Sequence, residues 1–292
     1  MPDFPKIVGN QPYVPRNPIG ELELTIAPRA GKSVATHQFH QGSMKLMRAH
    51  YLDKSGQVYY TLIIPGGGYL GGDDYTLDIT VEEGGSLLLT GQGATKVYRT
   101  PDDYCAQVMT VKMAPNSVFE YIPDQLILYR DSRYRQFTEA HLDSQSSFLT
   151  AEIITPGWDP KGGSFLYDEA RLHTRLFIDG KLQVIDNLYV EPKGERFHTD
   201  QMVILEGFTH VATLLAYDPQ LNDEHVDTLR RMLNEYEGST PTRASITRTQ
   251  GGALAVRALG TLTEDLYKLL LVVADYLRGE FRGQGPINLR KY

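Results

Sequence analysis

Cysteine is nearly absent. Cys105 stands alone in 292 residues, which excludes a disulfide framework and any cysteine-built metal cage. A surplus of basic charge is lacking too: 36 acidic residues face 29 basic ones, for a net charge of −7. That balance argues against nucleic acid as the main partner. No apolar run is long enough to span a bilayer, since the most apolar C-terminal stretch, residues 266–277, is short and carries Lys268 and Asp275. The proline-rich opening, residues 1–19, has no apolar centre and does not read as a secretory signal. These absences lead to the expectation of a cytoplasmic protein without membrane contact.

The usual catalytic signatures are missing as well. There is neither a GxSxG elbow nor an HExxH pair. His37 and His40 are an odd number of positions apart, so on a strand they point to opposite faces and cannot chelate one ion. The other histidines are scattered singly, and a metal site needs clustered ligands. Gly66, Gly68 and Gly71 formally match the dinucleotide pattern GxGxxG. That mechanism requires a helix to begin at the glycines, whereas a strand pattern follows. Gly31-Lys32-Ser33 resembles the end of a phosphate-binding loop, but Ile26 occupies the place of the required first glycine. Neither nucleotide hydrolysis nor nucleotide binding by this chain is expected.

What remains is mostly strand. Tyr75, Leu77, Ile79 and Val81 alternate with Thr76, Asp78 and Thr80, the period of a half-buried strand. Similar runs occupy residues 22–26, 58–64, 87–89, 108–113, 118–122, 126–129, 148–154, 172–178, 182–190 and 211–217. Asp179-Gly180 reads as a two-residue hairpin turn. The pattern predicts a mainly β fold of many short strands, solenoid-like or layered, over residues 20–217. Periodicity alone leaves sandwich, barrel and solenoid open, and no exact repeat is visible. Two helices are expected near the C-terminus, over 221–237 and 261–281. The first opens at Asn222 with Asp223 and Glu224 in its first turn; the second carries the capping box Thr261-x-x-Glu264. A short strand pair, 244–248 and 254–259, lies between them. The whole chain, 1–292, reads as one domain.

The segment PGGGYLGGDDYTLDITVEEGGSLLLTGQGATKVYRT, residues 65–100, carries Gly-Gly-x-x-Gly-Gly-Asp followed by Ala-Thr-Lys-Val-Tyr-Arg. This combination resembles the signature of the UreD/UreH urease accessory proteins. Weaker likenesses occur at residues 20–33, 120–125, 152–157 and 257–260, so the resemblance touches most of the chain. Gly91, Gly93 and Ala151 depart from the family pattern, as does the Leu-Arg-Lys-Tyr ending.

The resemblance implies a non-catalytic scaffold in urease maturation. It implies binding to the urease apoprotein, to a UreF-type helical accessory protein and, through it, to a UreG-type GTP-hydrolysing nickel carrier. No tightly bound cofactor is implied; nickel would be a transient cargo. The family's proposed polar interior passage maps here onto Asp73, Thr95, Glu152 and Asp186. Carboxylates, hydroxyls and water form weak nickel sites suited to transfer. Asp73 alternatively reads as an Asx-type turn residue bonding its own backbone. The rival reading is a carbohydrate- or small-molecule-binding β protein, given 18 tyrosines and several carboxylate pairs. Adjacent carboxylates on a strand face opposite ways, so Asp73-Asp74, Asp102-Asp103 and Glu82-Glu83 are not acid/base pairs by themselves.

Overall fold

The computed structural model describes residues 15–16, 18–192 and 205–289. Most of the proline-rich opening therefore lies outside the described residues, as do the last three positions. The chain runs through β1 (Pro18–Arg29), β2 (Lys32–Gly42), β3 (Lys45–Leu46), β4 (Val58–Ile63), β5 (Asp74–Val81), β6 (Ser86–Gly91), β7 (Thr95–Val97) and β8 (Cys105–Met113). It continues with β9 (Val118–Tyr121), β10 (Leu126–Leu128), β11 (Arg133–Leu142), β12 (Ser147–Ile154), β13 (Glu169–Ile178), β14 (Lys181–Val190) and β15 (His210–Tyr217). Helix α1 (Asp223–Asn234), β16 (Arg243–Arg248), β17 (Leu254–Gly260) and helix α2 (Thr263–Arg282) complete it.

Successive strands alternate between two sheets. The first has the order β14-β13-β11-β8-β5-β1-β2, the second β16-β17-β15-β12-β9-β6-β4-β3. Strands β5, β8, β11 and β13 are parallel neighbours, and so are β4, β6, β9 and β12. The chain thus winds as a coil, each turn stacking on the last. Val58, Leu87, Phe119 and Phe148 fall in line across four turns, a repeat of roughly 30 residues as in other solenoids. No sequence repeat announces it because the stacked positions share hydrophobicity and not identity. A third side is formed by β7 and β10, with Tyr69 bridged to Val97 and Tyr129 to Trp158.

The glycine-rich turn belongs to this third side. Gly67 and Gly72 have positive φ, and a Cβ on Gly68 would stand 2.7 Å from the Lys96 carbonyl oxygen. The glycines let this turn lie flat against the next coil.

Two cores result. Alternate residues of both sheets meet in the main core, including Leu77, Met109, Phe119 and Phe148. The other face of the second sheet, with Leu88, Leu149, Ala151 and Leu214, is covered by α1 and α2 through Val226, Leu229, Leu266, Leu270 and Val273. The wide apolar stripe of α2 therefore faces the protein's own sheet.

Helix α1 begins as its sequence indicates: Asn222 Oδ1 accepts from the His225 N–H, and His225 Nδ1 accepts from the Asn222 N–H. The expected Thr261–Glu264 capping box does not form. The N-cap of α2 is Leu262, with no side-chain cap, and Thr261 Oγ1 bonds Thr240 Oγ1 instead. Asp265 explains the difference: it accepts from the Ser239 and Thr240 amides and the Thr240 hydroxyl, tying the preceding loop to the helix start. Strand β11 also goes beyond the sequence reading. Its outward positions are Arg133, Arg135 and Glu139 and its inward ones include Gln136 and Thr138, so apolar alternation is weak. Among the described residues, no helix is long and apolar enough to cross a membrane.

Candidate functional site

Two glutamates sit on neighbouring strands of the second sheet and point opposite ways. In β12, Ala151 and Ile153 face the helices, so Glu152 between them faces the space between the sheets. In β9, Phe119 and Tyr121 face that space, so Glu120 faces the helices. Their surroundings differ sharply.

Glu120 is fully countered. Arg282 Nη2 donates to its Oε1 at 2.6 Å, Gln57 Nε2 donates to Oε2 at 3.0 Å, and Arg278 Nη1 donates to the same oxygen. Arg278 also reaches Gln57 Oε1 at 2.9 Å and Asp53 at 3.5 Å. Glu120 and Arg278 are 1% and 2% exposed, so this is a buried polar lock between α2 and the sheet. Buried ion pairs hold geometry when every charge is matched.

Glu152 has one amide for company. Gln136 Nε2, from the opposite sheet, donates to Oε1. Burial pushes the carboxyl up to about 7 despite that bond, and nearby Asp186 adds to the rise. A cavity of about 20 Å³ opens beside it, bordered by Thr95, Gln107, Tyr121, Asp124 and Tyr134. That is room for about one water.

A line of polar groups leads away from Glu152 in both directions. Toward the glycine-rich turn, Tyr134 Oη donates to Gln136 Oε1 at 2.8 Å, and Tyr69 Oη to Gln107 Oε1 at 2.7 Å. Gln107 also bonds Tyr121. Tyr69 stacks on Tyr75 with ring centroids 3.8 Å apart, and Tyr75 bonds Asp73. Burial raises the pKa of Tyr69, Tyr75, Tyr121 and Tyr134, so these hydroxyls stay protonated donors. In the other direction lies Asp186 on β14, which pairs with Arg257 on β17 of the opposite sheet.

The four sequence-derived positions fall along this line as follows. Glu152 and Thr95 border the same small cavity. Asp186 lies close enough to raise the Glu152 pKa. Asp73 stands at the far end and is a turn residue: its Oδ2 accepts from the Leu70 amide at 2.8 Å. Burial raises its pKa, and its contact with Tyr75 joins it to the interior line. Of the two readings of Asp73, the hydrogen bond to Leu70 bears on the turn role. They do not form one chelate; among the described residues, no group of three or more His, Cys, Asp or Glu could hold a metal ion. The sequence reading missed Tyr69, Gln107, Tyr121, Tyr134 and Gln136. Gln107 and Gln136 carry a faint signal, each an amide at an inward strand position.

Aromatics also line the third side, with Trp158 exposed and Tyr98 and Tyr129 half-buried. Tyr98, Tyr129 and Trp158 form a ladder with centroids 4.9 and 4.8 Å apart. Their rings pack on one another through successive coils, which accounts for them as part of the stacking.

A family model described as "UreD urease accessory protein" matches residues 19–291. The chain is 44% identical to the urease accessory protein UreD of Paenarthrobacter aurescens (strain TC1), covering 94% of this chain and 95% of that protein. It is 40% identical to the protein of the same name from Arthrobacter sp. (strain FB24), over 94% of both chains. The Bacillus cereus (strain ATCC 10987 / NRS 248) protein of that name is 30% identical over 95% of this chain and its own full length. The chain belongs to the UreD family of urease accessory proteins.

Proposed function

We propose that the chain is a non-catalytic scaffold that binds the urease apoprotein and its other accessory proteins and assists nickel insertion in the cytoplasm. A UreF-type protein docks on it and brings a UreG-type carrier, whose GTP hydrolysis releases nickel. The metal then moves through the interior as cargo, handed between weak oxygen sites along Asp73, Thr95, Glu152 and Asp186. The single observation that carries this reading is the interior polar line. A protein that needed only a docking surface has no use for a carboxylate held near neutrality between two sheets, since burying one costs stability. Weak, separated oxygen ligands suit transfer better than a tight cage, because a cargo must leave.

The test is maturation of urease with variants of this chain co-expressed with the urease subunits and the other accessory proteins. Glu152→Ala and Asp73→Ala are expected to be pulled down with urease at parental yield and to leave urease with severalfold less nickel. Normal nickel content with both variants would remove the passage and leave the scaffold role. Loss of pull-down by the parent chain would remove the scaffold role itself.

A further inference from the structure

We propose that Arg257 is a cationic gate on the interior line: its guanidinium occupies the place, next to Asp186 and in register with Glu152, that a divalent cation needs. This rests on the reading of that line as a cation route. Arg257 and Asp186 belong to different sheets, so their ion pair crosses the gap between β17 and β14. In the second sheet, Arg257 lies beside Thr213, and Thr213 lies beside Glu152. Arg257 and Glu152 are thus two strand spacings apart on the same face, roughly 10 Å between backbones. That distance is within reach of an extended arginine side chain.

The two sides of this position differ. On one side is the small polar cavity at Glu152. On the other is a cavity of about 290 Å³ walled by such groups as Phe165, Tyr167, Leu188, Val211 and Leu259. Among the described residues lining it, Arg257 is the only charged one. Thr155, Tyr167, Tyr189 and Thr209 bring hydroxyls to this mostly apolar chamber, but no acid is among its described lining, and its one charge repels a cation.

The guanidinium is also incompletely held. Nη2 is committed to Asp186, while Nη1 is buried without a hydrogen-bond partner. Its one ion pair is part-exposed, with the Arg257 side chain 39% accessible, and such a pair is weakly held, which lowers the cost of leaving this arrangement. With the arginine in place, Asp186 is neutralised and the interior presents no pair of acids to a cation. With it displaced, Asp186 and Glu152 face the same space as two carboxylates, a pair of hard oxygen ligands. Gating by a resident cation explains how a protein with an acidic interior line avoids trapping metal at rest.

Equilibrium dialysis of the full chain against nickel(II) alone tests this near neutral pH. Arg257→Gln is expected to bind nickel about tenfold or more tighter than the parent, since a repelling charge is removed and two acids are released. Arg257→Lys, which keeps the charge, should bind as weakly as the parent. The double variant Arg257→Gln/Glu152→Gln should lose the gain. Parent-like affinity in a folded Arg257→Gln chain, or a gain that survives the double variant, overturns the gate. Should Arg257→Gln not fold, Arg257→Met carries the same expectation, because it keeps the stem against the apolar wall. The passage is judged separately by urease nickel content with Glu152→Ala: the gate can fail while that loss stands, and normal loading would remove the route whatever the dialysis shows.

Discussion

Glu120 and Glu152 are neighbours in one sheet, one strand apart, yet they live in opposite chemistries. The first meets two arginines and a glutamine, the second one glutamine and a small cavity. The lesson is that an interior strand position does not by itself fix an acid's surroundings; its partners do. Glu120 has both oxygens matched by cations or amides, whereas Glu152 keeps unused acceptor capacity beside the cavity.

The largest expected effect tests the lock. Glu120→Ala leaves buried Arg278 with only the more distant, part-exposed Asp53 as countercharge and is expected to lose about 3 kcal/mol of stability. Urea denaturation followed by circular dichroism measures it. A cost below about 1 kcal/mol would place Glu120 with exposed pairs and dissolve the contrast.

A smaller effect of opposite sign is expected at Glu152. Its folded-state pKa is raised from 4.5 to about 7, so the folded protein holds this proton more tightly than the unfolded chain. The resulting stability is fully present below pH 4.5 and is lost as pH rises through about 7. Glu152→Gln mimics the protonated form. It should match the parent at about pH 3.5, begin to exceed it by pH 5, and exceed it by about 2 kcal/mol at pH 8 to 9, allowing for screening by the adjacent cavity. A stability difference independent of pH would show that the carboxyl is not held near neutrality.

The smallest effect sets the baseline. Arg230 pairs with Asp227 one turn away on the exposed face of α1. Arg230→Ala should change stability by about 0.3–0.5 kcal/mol, shrinking further in high salt. Together the three variants separate pairing from burial: ion-paired and buried, amide-bonded and half-buried, ion-paired and exposed.

Much of the fold was legible beforehand. Strands with apolar alternation, such as β5, β12 and β13, are visible because one face must be dry. The hairpin at Asp179-Gly180 and the cap at Asn222 were legible because both depend on local backbone needs, positive φ in one case and free amides in the other. Strand β11 was hidden because its inward positions include Gln136 and Thr138, which read as surface. The α2 capping box was misleading for a related reason: Asp265 ties residues 239–240 to the helix start, and that loop, not the helix, engages Thr261. Glu152 and Asp186 were indicated by resemblance, whereas Arg257 as the partner of Asp186 was not, since 71 residues separate the two.

The sequence by itself determined the class of this protein. Near-absence of cysteine, short alternating strands, punctuating glycines and two late amphipathic stripes specify a β-rich body with helices on one side, because backbone and hydrophobic periodicity act locally. Tertiary structure alone decided what each acid does. Whether a glutamate is locked by arginines or left beside a cavity with one amide depends on which distant residues the coiling brings to it, and that electrostatic environment is a property of the stacked sheets, not of any segment.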